Sequence, residues 1–245
     1  MKIIEIRSLQ KDFYKLVALK GVDLHANEGE LLGLIGPNGS GKTTLFDCVT
    51  GILKPTEGEV LFKGKNITNY KPHDVYRMGV GRTFQLVQLF PEMTVLDNML
   101  MAIQESQGNM FSRLFKIRED SNRERAISIL DFLKIDHLRK NHAKNLSYGQ
   151  QKLLDLGMVL MSDPDLVLLD EPLAGVNRTL AREIIDRVRD LNEQGRTFII
   201  IEHDMKVVMD LCERIVVLDY GEKIAEGTPE EIKNNDQVLK AYFGG

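Results

Sequence analysis

Three short apolar runs without alternation stand out along the chain. They cover Leu31–Ile35, residues 166–169 and residues 198–201. Unbroken apolar runs of this length are typical of strands that are buried on both faces of a parallel sheet. We therefore predict a buried parallel strand from each of these segments.

Segments with helical spacing accompany these runs. Residues 43–50 form a predicted helix that ends at Gly51, and residues 180–192 place their apolar side chains along one stripe. Alternation of buried strands with helices of this kind indicates an α/β core with a parallel sheet.

The N-terminal part of the chain has a different pattern. Apolar residues alternate with others near the start and again around residues 22–26, and residues 59–62 look like a further short strand. Alternation is typical of strands with one buried face. We predict an antiparallel β layer, built from residues 1–30 and 57–67, that packs against the core.

The middle of the chain is predicted to be helical. Helical patterning covers residues 95–103, 123–133 and 150–161. We interpret residues 86–161 as a helical subdomain inserted into the core.

These patterns fit one domain of 245 residues. Residues 1–85 and 162–245 are predicted to form the core together with the antiparallel β layer at its N-terminal side. This order of elements predicts an α/β fold with a parallel sheet.

Composition excludes some classes of protein. The chain is 43% hydrophobic and 28% charged with a formal net charge of −4, so nothing favours a nucleic-acid clamp. Cys48 and Cys212 form no C-x-x-C pair and are expected to be reduced, partly buried thiols. No stretch approaches the roughly 18 apolar residues that span a bilayer. At a membrane, the protein would have to dock on a separate integral subunit.

A glycine-rich loop follows the first predicted strand. Residues 36–43 read G-P-N-G-S-G-K-T and open a helix. Such a loop turns backbone N–H groups toward phosphate oxygens, and the helix N-terminus adds partial positive charge. Lys42 can reach the β- and γ-phosphates, and the Thr43 hydroxyl can ligate Mg²⁺. The residues of the loop that are predicted to bind nucleotide phosphate are Gly36, Pro37, Asn38, Gly39, Ser40, Gly41, Lys42, Thr43 and Thr44.

Paired acids end the second predicted strand. Residues 165–172 read D-L-V-L-L-D-E-P, which would place Asp170 at the strand's C-terminal edge, where it can hold Mg²⁺ directly or through water. The Glu171 side chain must diverge from its neighbour, which suits it to orient and deprotonate an attacking water. Taken alone, the segment could also be a strand that ends in a solvated acidic turn.

A second anion site is predicted upstream. The sequence L-S-Y-G-Q places Ser147 three positions before Gln150, which fits a capping box and therefore a helix start. A helix N-terminus with a serine hydroxyl and the bare Gly149 also suits an anion.

Together these motifs resemble the ATP-binding subunits of ABC transporters, with G-P-N-G-S-G-K-T-T, L-S-Y-G-Q-Q and L-L-D-E-P in the expected order. The resemblance covers essentially residues 3–243. It implies a P-loop NTPase core with a parallel sheet, an antiparallel β layer and an inserted helical subdomain, and it implies ATP hydrolysis with ATP and Mg²⁺ as cofactors. It also implies that Gln85, in G-R-T-F-Q, senses the metal and the γ-phosphate, and that His203, in I-I-I-E-H-D, contacts the γ-phosphate. The implied catalytic residues are Glu171, His203 and Gln85, and the implied metal ligands are Thr43, Gln85 and Asp170.

The resemblance also assigns contacts outside the loop. Phe13 occupies the place of the aromatic residue that stacks on adenine, and Tyr14 is the neighbouring candidate. Asn177, in the D-loop, stands where most of the family has Asp, and Arg178 stands where Pro commonly follows. The residues implied to contact ATP held by a second subunit are Ser147, Tyr148, Gly149 and Gln150.

Partners follow from the same resemblance. Two ATPase subunits, identical or different, would sandwich ATP head to tail and drive integral permease subunits, with an external substrate-binding protein acting indirectly. The segment after Gln85, L-V-Q-L-F-P-E-M-T-V-L-D-N-M, is rich in Phe, Met and Leu. Most of these residues are expected to be core, and part of residues 90–99 is expected to form the groove that receives a permease helix. The chain would then be peripheral on the cytoplasmic face of the inner membrane.

The motif details resemble one branch, the ATPases of branched-chain amino-acid importers. The features that carry this are L-S-Y-G-Q-Q, A-G-V-N, R-T-F-Q, I-E-H-D-M-K-V-V-M and the late G-T-P-E-E-I. A lipopolysaccharide-export ATPase is the runner-up. A non-transport ABC ATPase in DNA repair or translation is the alternative of a different class.

Overall fold

The structure is a computed structural model, and it describes residues 1–84, 87–103 and 112–243. The strands are β1 (Lys2–Phe13), β2 (Leu16–Asn27), β3 (Leu31–Ile35), β4 (Glu57–Phe62), β5 (Lys65–Asn66), β6 (Val80–Arg82), β7 (Leu166–Asp170), β8 (Thr197–Ile201), β9 (Arg214–Asp219) and β10 (Glu222–Gly227). The α-helices are α1 (Lys42–Val49), α2 (Pro72–Arg77), α3 (Val95–Met101), α4 (Ser112–Phe132), α5 (Tyr148–Leu160), α6 (Arg178–Glu193), α7 (Met205–Leu211), α8 (Pro229–Lys233) and α9 (Asp236–Phe243).

The central sheet has the order β10-β9-β3-β8-β7-β6. β9, β3, β8, β7 and β6 run parallel, and β10 pairs antiparallel with β9. Every residue of β3, β7 and β8 is buried. The three predicted parallel strands are therefore confirmed, and their lack of alternation reflects burial on both faces.

Each face of this sheet has its own hydrophobic core. Leu32 and Leu34 of β3 lie in the core that contains Phe46 of α1 and the antiparallel sheet. Leu31 and Ile35 lie in the opposite core, which contains the helices. The sheet is thus the middle layer of the molecule.

The predicted antiparallel β layer is confirmed as a second sheet of order β2-β1-β4-β5. Its alternating apolar residues, such as Ile4 and Ile6, are buried against the central sheet. The fold class predicted from the sequence, a P-loop NTPase core with an added antiparallel layer and helices, is the one observed.

Helices fill most of residues 86–161 within the described ranges. Gly157 of α5 lies against α3, because a Cβ built there would be 3.0 Å from the Met99 sulfur. The proposed boundaries of a helical subdomain stay a prediction. None of the helices in the described part of the chain is long and apolar enough to cross a membrane.

Two expectations need correction. Cys48 and Cys212 are free but fully buried rather than partly buried, at 1% and 5% exposure, and burial raises the pKa of the two thiols to about 11 and about 12. α4 begins at Ser112, well before residue 123, and α6 begins at Arg178 rather than 180, because Asn177 caps it.

Candidate functional site

Three neighbouring strands deliver the glycine-rich loop, the paired acids and the predicted histidine to one edge of the sheet. β3 leads into Gly36, β8 leads into His203, and β7 ends at Asp170, which Glu171 follows. β8 lies between β3 and β7, and all three are parallel. Their carboxyl ends therefore meet at the same edge, which is where open α/β sheets bind ligands.

The glycine-rich loop is held against the sheet at Gly36. Gly36 has φ 151°, and a Cβ built on it would lie 2.0 Å from the Leu218 carbonyl oxygen of β9. Gly41, at φ 101°, immediately precedes α1. The loop thus has no room for a side chain at its first glycine, and it leads directly into a helix N-terminus.

Lys42 is the charged group inside this loop. It is only 6% exposed, and its Nζ donates to the carbonyl oxygens of Gly36 and Pro37 at 2.7 and 3.0 Å. Burial lowers the pKa of Lys42, although the carboxylates of Glu171 and Asp170 oppose this shift. These two carboxylates therefore lie close enough to the ammonium group to share one electrostatic site.

Asp170 is suited to hold a metal ion. It is 1% exposed, and burial raises its pKa. Its Oδ2 accepts a hydrogen bond from Arg82 at 3.0 Å, whereas its buried Oδ1 has no hydrogen-bond partner among the described residues. Thr43, at the start of α1, is exposed. A hydroxyl and a carboxylate are oxygen ligands that Mg²⁺ prefers, so these residues fit the ion that the sequence predicts.

Glu171 lies in a constrained turn directly after β7. Its φ is 49°, in the left-handed region that is uncommon for a residue with a side chain, and its N–H donates to the Ile201 carbonyl oxygen at 3.0 Å. Its Oε1 lies 2.6 Å from Nε2 of His203. The structure thus brings together two of the three predicted catalytic residues. Gln85, the third, lies outside the described residues.

The sequence prediction missed Glu202, which fixes this arrangement. Glu202 is 5% exposed, and its carboxylate accepts hydrogen bonds from the backbone N–H groups of Leu173 and His203 at 2.8 and 3.2 Å. It thereby joins the segment after β7 to the segment after β8. The signal was its place at the end of a buried strand, next to the predicted histidine.

Ser147 and Gln150 form the predicted capping box at the start of α5. The Gln150 N–H donates to Ser147 Oγ at 3.4 Å, and the Ser147 N–H donates to Gln150 Oε1 at 2.9 Å. Gly149 packs against α6, since a Cβ there would be 1.9 Å from Leu180 Cδ2. Tyr148 packs against Gly175, with the Cε1 atom 3.0 Å from a Cβ built there.

The predicted adenine-stacking residue lies at the end of β1. Phe13 is 38% exposed, and the Lys11 ammonium group lies 5.1 Å from its ring centroid. Tyr14 follows in a left-handed turn and is fully exposed. Both residues are accessible, so a role in stacking remains a prediction for either.

Comparison with known proteins identifies the family. The family described as "ABC transporter" matches residues 19–174, and the family described as "Branched-chain amino acid ATP-binding cassette transporter" matches residues 222–245. The chain belongs to the ABC transporter family. It is an ATP-binding subunit with ATP hydrolase activity, as its sequence predicted.

Relatives and structures of this family match the chain over nearly all of its length. It is 42% identical over 247 residues to the probable branched-chain amino acid transport ATP-binding protein LivG of Archaeoglobus fulgidus, covering 100% of this chain and 96% of the relative. It is 39% identical to the high-affinity LivG of Salmonella typhimurium, covering 99% and 98%. A nucleotide-free ATP-binding cassette from an ABC transporter matches with a TM-score of 0.90 and 40% identity, covering 100% of both chains.

Asn177 stands where most ABC ATPases have Asp in the D-loop, and its position explains why Asn can replace Asp there. Its Oδ1 accepts a hydrogen bond from the Leu180 N–H at 3.0 Å, so that it is the N-cap of α6. Asn and Asp are equally good N-caps. Arg178 is the first residue of α6, where a proline is also tolerated.

Asp155, on α5, should make the stability of this ABC ATPase depend on pH. It is 6% exposed, and burial raises its pKa to about 7, although Lys152 and the Phe84 backbone N–H oppose the shift. Between about pH 4 and pH 7 the folded chain therefore retains a proton that the unfolded chain releases, so this group makes stability fall as pH rises through that range. The wild type should lose this stability between pH 5 and pH 8, whereas Asp155→Asn has no proton to release. We therefore expect the stability of Asp155→Asn, measured relative to the wild type, to be about 2 kcal/mol greater at pH 8 than at pH 5.

Urea unfolding of the wild type and of Asp155→Asn, each at pH 5 and at pH 8, gives the free energies of unfolding that are compared. Asp131→Asn, at an exposed carboxylate of α4, is the matched control and should show no such difference. A stability difference for Asp155→Asn that is independent of pH would contradict the prediction.

Proposed function

We propose that this chain energises the import of branched-chain or other hydrophobic amino acids. The observation that carries the proposal is the match of residues 222–245, which cover β10, α8 and α9, to the family named for branched-chain amino acid transport. The full-length relatives with LivG names support it. Motif resemblance in other parts of the chain points to the same branch.

We propose that the working unit is a pair of such ATPases with ATP between them. Ser147 is exposed at the start of α5, so a second subunit could present phosphate to this helix N-terminus. A bacterial ABC transporter cassette with a dimeric structure matches this chain with a TM-score of 0.80 and 28% identity, covering 92% of it and 98% of that chain. The partner could be a second copy or a different ATPase.

Within each site, Thr43, Asp170 and Gln85 are the proposed magnesium ligands. When bound, the ion neutralises charge on the β- and γ-phosphate oxygens. Lys42 binds the same phosphates. Glu171 orients the attacking water and accepts its proton, and His203, 2.6 Å from Glu171, holds that carboxylate and can contact the γ-phosphate.

Within residues 90–99, two exposed apolar residues are the proposed contact with the permease. Val95 and Met99 belong to the core, whereas Phe90 and Met93 are 45% and 36% exposed. The buried Asn98 fixes this surface, because its Oδ1 accepts from the Phe90 N–H at 2.8 Å and its Nδ2 donates to the Phe90 carbonyl at 3.1 Å. This surface suits an apolar helix of a permease subunit. The chain would then be peripheral on the cytoplasmic face of the inner membrane. An external binding protein would supply the substrate to the permease.

Uptake of labelled leucine tests the proposal. Cells that lack this chain should regain uptake with the wild type but not with Glu171→Gln, and permease subunits should co-purify with the chain. Normal leucine uptake together with a defect in lipopolysaccharide export would support the runner-up. ATPase activity stimulated by ribosomes or DNA would contradict a transport role.

Polar substitution at Phe90 should uncouple transport from ATP hydrolysis. We expect Phe90→Ser to reduce leucine uptake about tenfold, since a central aromatic contact is worth about 1–2 kcal/mol or more at an interface. Basal ATPase activity of the purified chain should stay within about twofold. Leu239→Ser, at a similarly exposed apolar residue of α9, is the control. Equal loss of uptake in the control, or loss of basal ATPase activity, would contradict the prediction.

A further inference from the structure

Arg82 lies at the end of β6 and connects three parts of the site. Its side chain is 5% exposed. One guanidinium nitrogen donates to Asp47 Oδ1 of α1 at 2.6 Å, and the other donates to Asp170 Oδ2 at 3.0 Å. The guanidinium carbon lies 5.6 Å from the ring centroid of Phe46 and 5.1 Å from that of Phe84. A single side chain thus joins the helix after the glycine-rich loop, the strand end that carries Asp170, and the residue before Gln85.

This arrangement requires an arginine. The guanidinium group presents several donors in a fixed plane, so it can bond two carboxylates while it lies close to two aromatic rings. A lysine would supply one compact charge in place of this fork. The two rings and the two carboxylates therefore fix the orientation of Arg82, and Arg82 in turn fixes the orientation of the Asp170 carboxylate.

The free oxygen of Asp170 indicates what the orientation is for. Oδ2 is engaged by Arg82, while Oδ1 is buried and has no hydrogen-bond partner among the described residues. An unpartnered buried carboxylate oxygen is costly unless a cation meets it. Asp47 balances the charge of Arg82, so the guanidinium group adds little net repulsion toward a cation beside Oδ1.

We propose that Arg82 is a positioning residue for magnesium, which holds Oδ2 of Asp170 so that Oδ1 is presented to the ion. This inference rests on the proposed assignment of Asp170 to magnesium. Groups that hydrogen-bond a ligating carboxylate typically change metal affinity by about 10- to 100-fold when they are removed.

Calorimetric titration with ADP tests the proposal, because ADP is not consumed. The dissociation constant of ADP is measured in EDTA and over a series of Mg²⁺ concentrations, which gives the Mg²⁺ concentration at half of the full effect. In Arg82→Gln and Arg82→Lys we expect this midpoint to rise at least about tenfold, with ADP affinity in EDTA within about threefold of the wild type.

Two further variants distinguish a wrong role for Arg82 from a wrong assignment of Asp170 to the metal. Arg196→Gln removes another partly buried arginine, which bonds Asp163 and the Pro164 carbonyl near the opposite end of β7, and should leave the midpoint unchanged. Asp170→Asn should raise the midpoint if Asp170 serves the metal. If Asp170→Asn raises it but both Arg82 variants leave it within about twofold, the role of Arg82 is wrong. If Asp170→Asn does not raise it, the metal assignment itself fails. Should Arg82→Gln unfold, Arg82→Lys alone decides.

Discussion

Replacing Glu171 with glutamine should reduce ATP turnover by about 10²- to 10⁴-fold, the usual contribution of a positioned general base. Glutamine has nearly the same size and can still meet His203, which lies 2.6 Å from Oε1 of Glu171. It has no carboxylate to accept the proton of the attacking water. ATP affinity should stay within about threefold, since the predicted phosphate-binding loop is unchanged and the loss falls on the chemical step.

Turnover is measured as phosphate release, and affinity by calorimetric titration with ATP in EDTA, so that the ATP is not consumed. Glu193→Gln, at an exposed glutamate of α6, is the control and should keep full turnover. Because unhydrolysed ATP would remain between two subunits, Glu171→Gln should also elute as a dimer in gel filtration with ATP. Retention of more than about a tenth of the wild-type turnover would rule out Glu171 as the base.

Local signals in the sequence predicted most of the edge that carries the site. Unbroken apolar runs indicated β3, β7 and β8, and parallel strands necessarily place the residues that follow them at one edge. The capping box of Ser147 and Gln150 was also predictable, since it depends on residues three positions apart. Interactions of this kind require no knowledge of which strands are neighbours.

The contacts that connect different strands could not be predicted in the same way. Arg82 meets Asp170 because β6 lies beside β7, although the two residues are far apart in the sequence. Glu202 bonds the segment after β7 because β8, which Glu202 follows, also lies beside β7. β6 is only three residues long, too short for a periodic pattern, so neither its presence nor its place in the sheet followed from the sequence.

Replacing Gly36 with alanine should weaken ATP affinity at least about 100-fold, which corresponds to about 2.7 kcal/mol of binding free energy. The new Cβ would lie 2.0 Å from the Leu218 carbonyl oxygen, which belongs to the backbone of β9 and cannot rotate away. The loop would have to move, and Lys42 would move with it, because its ammonium group bonds the carbonyl oxygens of Gly36 and Pro37. The free energy of unfolding should fall by about 3 kcal/mol.

Calorimetric titration with ATP in EDTA measures the affinity of Gly36→Ala, and urea unfolding measures its stability. Gly195→Ala is the matched control, since Gly195 also has a positive φ, 93°, but a Cβ there would meet nothing within 4 Å. That variant should lose only about 1–2 kcal/mol of stability from backbone strain and should bind ATP normally. If Gly36→Ala loses stability but binds ATP as the control does, the loop geometry at Gly36 is not what binds phosphate. If Gly36→Ala loses ATP affinity and Gly195→Ala does not, ATP binding depends on the close contact between this loop and β9.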